Sequence, residues 1–325
     1  VGEVWGLKNV SAFESLNVGK KMHIPVLLDE VVEALHLQSG GTYLDCTTGG
    51  GGHTEAILKA CAPNGRVLAT DADEQAIRRV SERLSNEVRT GRLTLRLCWL
   101  DESAGVASEL GFAPLDGVTM DLGLSSFQLD AVARGFSFMR DGELDMRFDQ
   151  TKGLSAAQWI DQSDVEELTH ALSEYGEVQN ARKAAEAIWR ARPIRTTAQL
   201  REIVSDVVKT RSQKIHPATQ VFQALRIKVN DELRRLRDGL PKLIDVLKPG
   251  GRIAVISFHS LEDRIVKNCF RAESRATKAQ MGFGESQEKP ARLRVVNKDL
   301  VAPSKDEVER NPRARSAKLR IAERI

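Results

Sequence analysis

The chain has only four cysteines in 325 residues, Cys46, Cys61, Cys98 and Cys269, and none is spaced as a CxxC pair or metal-ligand cluster. That scarcity excludes a disulfide framework and a zinc-ribbon type of site; buried free thiols in a reducing compartment are the expectation. Long apolar runs are missing too, and no stretch approaches the ~20 residues of a membrane-crossing helix. Residues 1–21 have neither the apolar core of a signal peptide nor the Arg/Ser bias of a transit peptide. A cytoplasmic protein with no membrane partner is therefore expected. An excess of one charge is also lacking: a net charge of +3 does not by itself argue for nucleic acid, so the placement of charge must. Internal repeats are absent. What remains, 41% apolar and 29% charged residues, suits a soluble chain with a sizeable core and one or two domains.

The most informative stretch runs from Thr42 to Asp73. A short strand, Thr42-Tyr43-Leu44-Asp45, meets four consecutive glycines, Gly49 to Gly52, followed by His53 and an amphipathic stretch to Cys61. A second strand, Arg66 to Thr70, is capped by Asp71. Glycines there let the backbone approach a ligand closely, and the helix start beyond them offers unpaired N–H groups. A carboxylate ending the next strand can accept from both hydroxyls of a ribose. The ligand class is therefore an adenosine-containing cofactor.

Further strands read as Leu93–Leu97 and Gly117–Asp121, so strand and helix alternate as in a parallel sheet. Asp45, Asp71 and Asp121 all fall at strand ends, where such sheets bind ligands. The alternation then stops. Helical spacing takes over at Val165, Leu168 and Leu172, and at Ala184, Ile188 and Trp189, and Thr197 reads as an N-cap. Sheet grammar resumes with one helix from Pro217 through Leu236, the turn Lys248-Pro249-Gly250-Gly251 and a strand at 252–257. The expected fold class is α/β, a Rossmann-like and mostly parallel sheet with an inserted all-helical domain. The expected boundaries are an irregular extension at 1–21, a discontinuous sheet domain at 22–129 and 216–325, and a helical, substrate-recognising insert at 130–215. Two later β-like runs, Arg292–Val296 and Ala317–Ala322, suggest an edge hairpin.

A dinucleotide site would want G-x-G-x-x-G, but Thr54 stands where the third glycine belongs, and His53 would crowd a pyrophosphate. S-adenosyl-L-methionine has no phosphate and is favoured over NAD; the Lys248–Arg252 turn resembles that of class I methyltransferases. Asp121-Leu122-Gly123-Leu124-Ser125-Ser126 is the expected reaction centre. An acceptor aimed at the hydrogens of a base amino group favours pyramidal nitrogen and stabilises the charge developing in attack. Asp121 suits that role, and His259 at the end of the last core strand is read as holding the base. Arg264 and Lys267 downstream, and a strip carrying Arg310, Arg313, Arg315, Lys318, Arg320 and Arg324, are read as contacts for RNA phosphates.

Together these segments closely resemble the bacterial 16S ribosomal RNA cytosine-N4 methyltransferases, the MraW or RsmH family. The resemblance runs from His23-Ile24-Pro25 nearly to the C-terminus. It is carried by Asp45–Thr54, Asp121–Asp130, Arg134–Phe138, Leu144–Arg147, Tyr175–Glu177, His216–Thr219, Phe222–Arg226, Ile256–Lys267 and Asn311–Arg315. It implies a class I methyltransferase acting on a cytosine of the decoding centre in the small ribosomal subunit. By position, it implies cofactor contacts at Gly51, Gly52, His53, Asp71, Leu100, Asp121 and Gln128, and acceptor contacts at Ser125, Ser126 and Arg226. Leu100 stands where the family often has phenylalanine, and Phe127 where proline is common. Trp99 can take over the adenine stack that Leu100 lacks. Oligomeric state is left open, a homodimer among the options.

Two other readings compete. A DNA amino-methyltransferase would more often carry a Pro-Pro-Tyr/Phe loop in place of Leu122-Gly123-Leu124. A silent ribosome-assembly factor has no need to keep Gly51, Asp71 and Asp121.

Overall fold

A computed structural model describes residues 25–208, 216–280, 286–297 and 299–325. The extension at 1–21 and the His23-Ile24 start of the resemblance lie outside the described residues. Among these, no helix is long and apolar enough to cross a membrane.

Seven strands form one sheet: β1 (Thr42–Asp45), β2 (Arg66–Asp71), β3 (Leu93–Leu97), β4 (Leu115–Asp121), β5 (Leu247–Ser257), β8 (Leu293–Val295) and β9 (Lys318–Arg324). β6 (Thr277–Gln280) and β7 (Ser286–Lys289) pair separately. The order is β3-β2-β1-β4-β5-β9-β8, parallel from β3 to β5 and antiparallel across β5, β9 and β8. This is the expected α/β sheet, and the late β-like runs form its antiparallel edge. β5 begins at Leu247, earlier than expected: Leu115 pairs with Leu247 and Gly117 with Arg252, so the Lys248–Gly251 turn bulges out of the ladder.

Helices cover both faces, which is why the central strands are apolar without alternation. Leu44, Leu68, Val118, Met120, Ile253 and Val255 face helices Ser103–Glu109, Glu232–Asp245 and Ser260–Glu273. Tyr43, Val67, Ala69, Ala254 and Ile256 face helices Leu28–Ala34, Gly52–Ala60 and Glu74–Arg83. The strand order reverses between β1 and β4, and the crevice of a doubly wound sheet opens at such a reversal.

A separate core joins helices Ala156–Gln162, Val165–Gly176, Ala181–Arg190 and Thr197–Ser205. Ala218, Val221, Phe222, Ala224 and Leu225 of helix Pro217–Asn230 belong to it as well. By packing, that helix lies with the helical layer, although the sequence reading places it in the sheet domain. The single helix expected through Leu236 is two, broken at Asp231, whose φ of 54° is left-handed. Thr197 is not the cap of its helix; Thr196 is, accepting from Gln199 N, while Thr197 Oγ1 donates to Arg140 O at 3.1 Å. Cys46 and Cys61 are buried free thiols, but Cys98 and Cys269 are only partly covered.

Candidate active site

Asp45 is buried at the end of β1, and its carboxylate organises the glycine turn that follows. Thr54 Oγ1 donates to it at 2.6 Å and Thr47 N at 3.1 Å. Burial pushes it up to about 6 despite these donors. Asp45 is thus a scaffold for the loop, not a third ligand-facing acid. Gly51 has a φ of 80°, and a Cβ there would lie 3.0 Å from Val80 Cγ2; at Gly52 it would meet Pro25 Cγ at 2.2 Å. Backbone conformation therefore favours glycine at 51, and packing against Pro25 favours it at 52. Gly49, Gly50 and Gly52 line the cleft beyond the loop, and Gly51 lies beneath it.

The cleft sits over the C-terminal ends of β1, β2 and β4 and is walled by Asp71, Trp99, Leu100, Asp121, Ser125 and Gln128, among others. Asp71 is held in a fixed pose: Gly49 N donates to one oxygen and Asp73 N to the other, both at 2.9 Å. Burial and the neighbouring Asp73 and Asp45 push it up to about 7, outweighing the two backbone donors. Each oxygen keeps a lone pair for a hydroxyl. Trp99 and Leu100 stand side by side on the wall; the Arg235 guanidinium lies 4.0 Å over the Trp99 ring. An aromatic surface is thus retained beside Leu100.

His53 is buried at the start of its helix, with Nε2 3.1 Å from Val26 O and Nδ1 3.8 Å from Asp121 Oδ2. Desolvation lowers it to about 4, so the ring is neutral at pH 7 and donates Nε2–H to that carbonyl. Asp121 donates its own N–H to Thr47 Oγ1 at 2.7 Å, which fixes the backbone. Its Oδ1 is buried with no hydrogen-bond partner. Desolvation first, then Asp45 and Glu262, raise its carboxyl well above the usual range. Asp121 is thus half-buried, and an oxygen shut off from both water and a donor is costly to the folded state.

Beyond Asp121 the wall continues through Phe258, Glu262, Glu232 and Arg313. Several cations expected to meet RNA are spoken for here. Arg226 Nε donates to Glu232 at 2.8 Å, and its guanidinium lies 3.9 Å from Glu262, so it neutralises two buried acids instead of waiting for a phosphate. Lys318 and Arg320 both pair with Asp263. Arg264 is exposed and lies 3.4 Å from Glu177, across to the helical layer. Lys267 and Arg315 are exposed, and Arg313 reaches the cleft with Asp130 3.6 Å away. Arg324 is partly covered and donates to Ile244 O, so the strip narrows to the exposed Arg310, Arg313 and Arg315, the last two on the short turn Pro312–Ser316.

His259 does not line the cleft. Its Nδ1 accepts from Glu262 N at 3.4 Å and caps helix Ser260–Glu273, while Glu262 accepts from Phe258 N at 2.8 Å. The ring thus positions Glu262 and is not itself presented to a base. Ser125 lines the cleft but also caps helix Ser126–Asp130, accepting from Gln128 N; Ser126 is that helix's first residue. Gln128 is buried, with Oε1 accepting from Ser125 N at 3.0 Å and Nε2 donating to Asp73 at 2.9 Å.

Sequence reasoning missed Asp73, Arg134, Phe148 and Glu232. Asp73 and Arg134 form a buried ion pair at 3.0 Å, and Phe148 and Glu232 line the cleft. The available signals were the Asp71-x-Asp73 spacing at a strand end, followed by an N-capped helix, and Arg134 at the head of a segment that carries the resemblance.

Comparison with known proteins gives the family. A ribosomal RNA small subunit methyltransferase H of Thermomicrobium roseum is 49% identical over 308 residues, 93% of this chain and 94% of that one. The protein of the same name from Azorhizobium caulinodans is 49% identical over 312 residues, 94% and 88% of the two chains. That from Magnetococcus marinus is 45% identical over 311 residues, 93% and 98%. A family model covers residues 20–325, and by that match the chain belongs to the MraW methylase family.

Proposed function

We propose that this chain transfers a methyl group from S-adenosylmethionine to the N4 amino group of a cytosine in the 16S RNA of the small ribosomal subunit. Family membership makes it an S-adenosylmethionine-dependent methyltransferase. The relatives' names supply the small-subunit RNA. When bound, the cofactor supplies an electrophilic methyl group on a sulfonium. Gly49, Gly50, Gly52, His53, Asp71, Leu100 and Gln128 are the residues that would hold it, and the half-buried Asp121 carboxyl on the cleft wall fits a cationic ligand.

The observation that carries the chemistry is Asp121. An unprotonated oxygen of its carboxyl can accept from an amino hydrogen, drawing the nitrogen lone pair out of conjugation with the ring. After desolvation, the nearby Asp45 carboxylate helps to raise its pKa, and the same negative charge favours positive charge growing on nitrogen. Neutral His53 adds no opposing cation. The proton leaves after transfer, so no strong base is needed beforehand. Arg313 lines the cleft and Arg315 follows it on the same exposed turn, where a strand of RNA would enter.

Tritiated methyl transfer to small subunits and to free DNA tests the reading. Label is expected on cytosine N4 of the subunit RNA; label only in DNA, or none, overturns it. Arg313→Gln with Arg315→Gln should flatten the salt dependence of RNA binding, by roughly 0.7–0.9 in log–log slope for each phosphate that is no longer neutralised. Filter binding across a salt series measures this, and an unchanged slope removes both arginines from the interface.

A further inference from the structure

We propose that Arg134 is a positioning residue for the cleft, through which the segment leading into the helical layer sets Asp71 and Phe148 together. Arg134 ends the short turn Val132–Arg134 and is 3% exposed. On one side, Nη1 donates to both oxygens of Asp73, at 3.2 and 3.0 Å. On the other, Nη2 donates to Arg147 O at 2.9 Å and Phe148 O at 3.0 Å. One planar fork thus grips two separate pieces of the wall, a task suited to guanidinium and beyond a single ammonium.

Asp73 passes the restraint on. Its N–H holds Asp71, its carboxylate takes the side-chain amide of Gln128, and it caps helix Glu74–Arg83 by accepting from Gln75 N at 3.0 Å. Gln128 in turn accepts from Ser125 N in the loop after β4. Phe148 lines the cleft, with its ring centroid 6.3 Å from that of Trp99. Arg134 therefore connects the ends of β2 and β4 with the opposite wall. A buried ion pair is weak evidence for added stability, because desolvation offsets its attraction. The geometry points to placement: loss of Arg134 frees Asp71 from its second-neighbour brace and lets Phe148 drift from Trp99.

This inference rests on the reading of the cleft as the S-adenosylmethionine site. The test uses the full chain with Arg134→Met and Arg134→Lys, calorimetry with S-adenosylmethionine, methyl transfer to small subunits and thermal melts. R134M should weaken cofactor binding about tenfold, by leaving Asp73 unbraced. R134K keeps a charge beside Asp73 but loses the two carbonyls that hold Phe148 near Trp99, so the Kd for S-adenosylmethionine should rise a few-fold, less than in R134M. Lower melting temperatures with unchanged Kd and KM in the folded variants would mark Arg134 as merely structural and overturn the inference. Should R134M fail to fold, a raised Kd in folded R134K supports the inference and a wild-type Kd overturns it. A wild-type chain that binds no S-adenosylmethionine overturns the cofactor reading instead.

Discussion

Replacing Asp121 with alanine is expected to lower kcat about 10²–10³-fold, the usual loss when one preorganised electrostatic contact to a developing charge is removed. Affinity for small-subunit RNA should change little, because the basic turn carrying Arg313 and Arg315 is left intact. The same substitution should raise the melting temperature of the cofactor-free protein. Asp121 Oδ1 is buried without a partner, and its charge is opposed by burial, Asp45 and Glu262. Removing it relieves a desolvation cost that the folded state otherwise bears at neutral pH. Single-turnover methyl transfer and calorimetric melting together check both directions. Wild-type turnover would remove Asp121 from the chemistry, and a lower melting temperature would show that the acid has a structural partner.

The opposed signs separate Asp121 from Asp45, which reads much the same in the sequence. Both are acids ending a central strand. Asp45 accepts from Thr47 and Thr54, so its loss should loosen the glycine turn. The sheet itself was legible because strands covered on both faces leave unbroken apolar runs, such as Val67-Leu68-Ala69 and Ile253-Ala254-Val255-Ile256. The break at Asp231 was not. Leu233 and Leu236 continue the spacing of Phe222, Leu225 and Val229 across it, and a left-handed aspartate leaves no mark on apolar periodicity.

Charge was the least legible property. Arg226 looks like a phosphate contact until Glu232 and Glu262 fold against it, the latter from a distant helix. Asp263 takes Lys318 and Arg320 from the basic strip in the same way. A cation's sequence neighbours do not reveal its partners, because ion pairs form between elements that only the fold brings together. Arg134 and Asp73 are 61 residues apart and were missed for that reason. Glycines and strand-end acids were easier, since their roles follow from local backbone geometry.

Asp71 makes cofactor affinity depend on pH. Its carboxyl is pushed up to about 7 in the free protein, and only the ionised form offers both oxygens to ribose hydroxyl donors. Binding should therefore release a proton below pH 7, and affinity should fall about tenfold per pH unit below that point and level off above it. Asp73 and Asp45 face the same carboxyl and hold its titration high; Arg79 nearby works in the opposite direction. The sign for folding is the reverse of that for binding. Between the unfolded value near 4 and the folded value near 7, the folded state keeps a proton that the unfolded state has lost, so the free protein loses stability as pH rises. Asp71→Ala should weaken S-adenosylmethionine binding by about 1.5–3 kcal/mol at pH 8, the range for hydrogen bonds to a charged group. Asp71→Asn should abolish the slope below pH 7 while keeping part of the affinity. Calorimetry from pH 5.5 to 8 in buffers of different ionisation enthalpy counts the protons directly. A flat profile for the wild type, or an unaltered one for Asp71→Asn, would take the ribose contact away from Asp71.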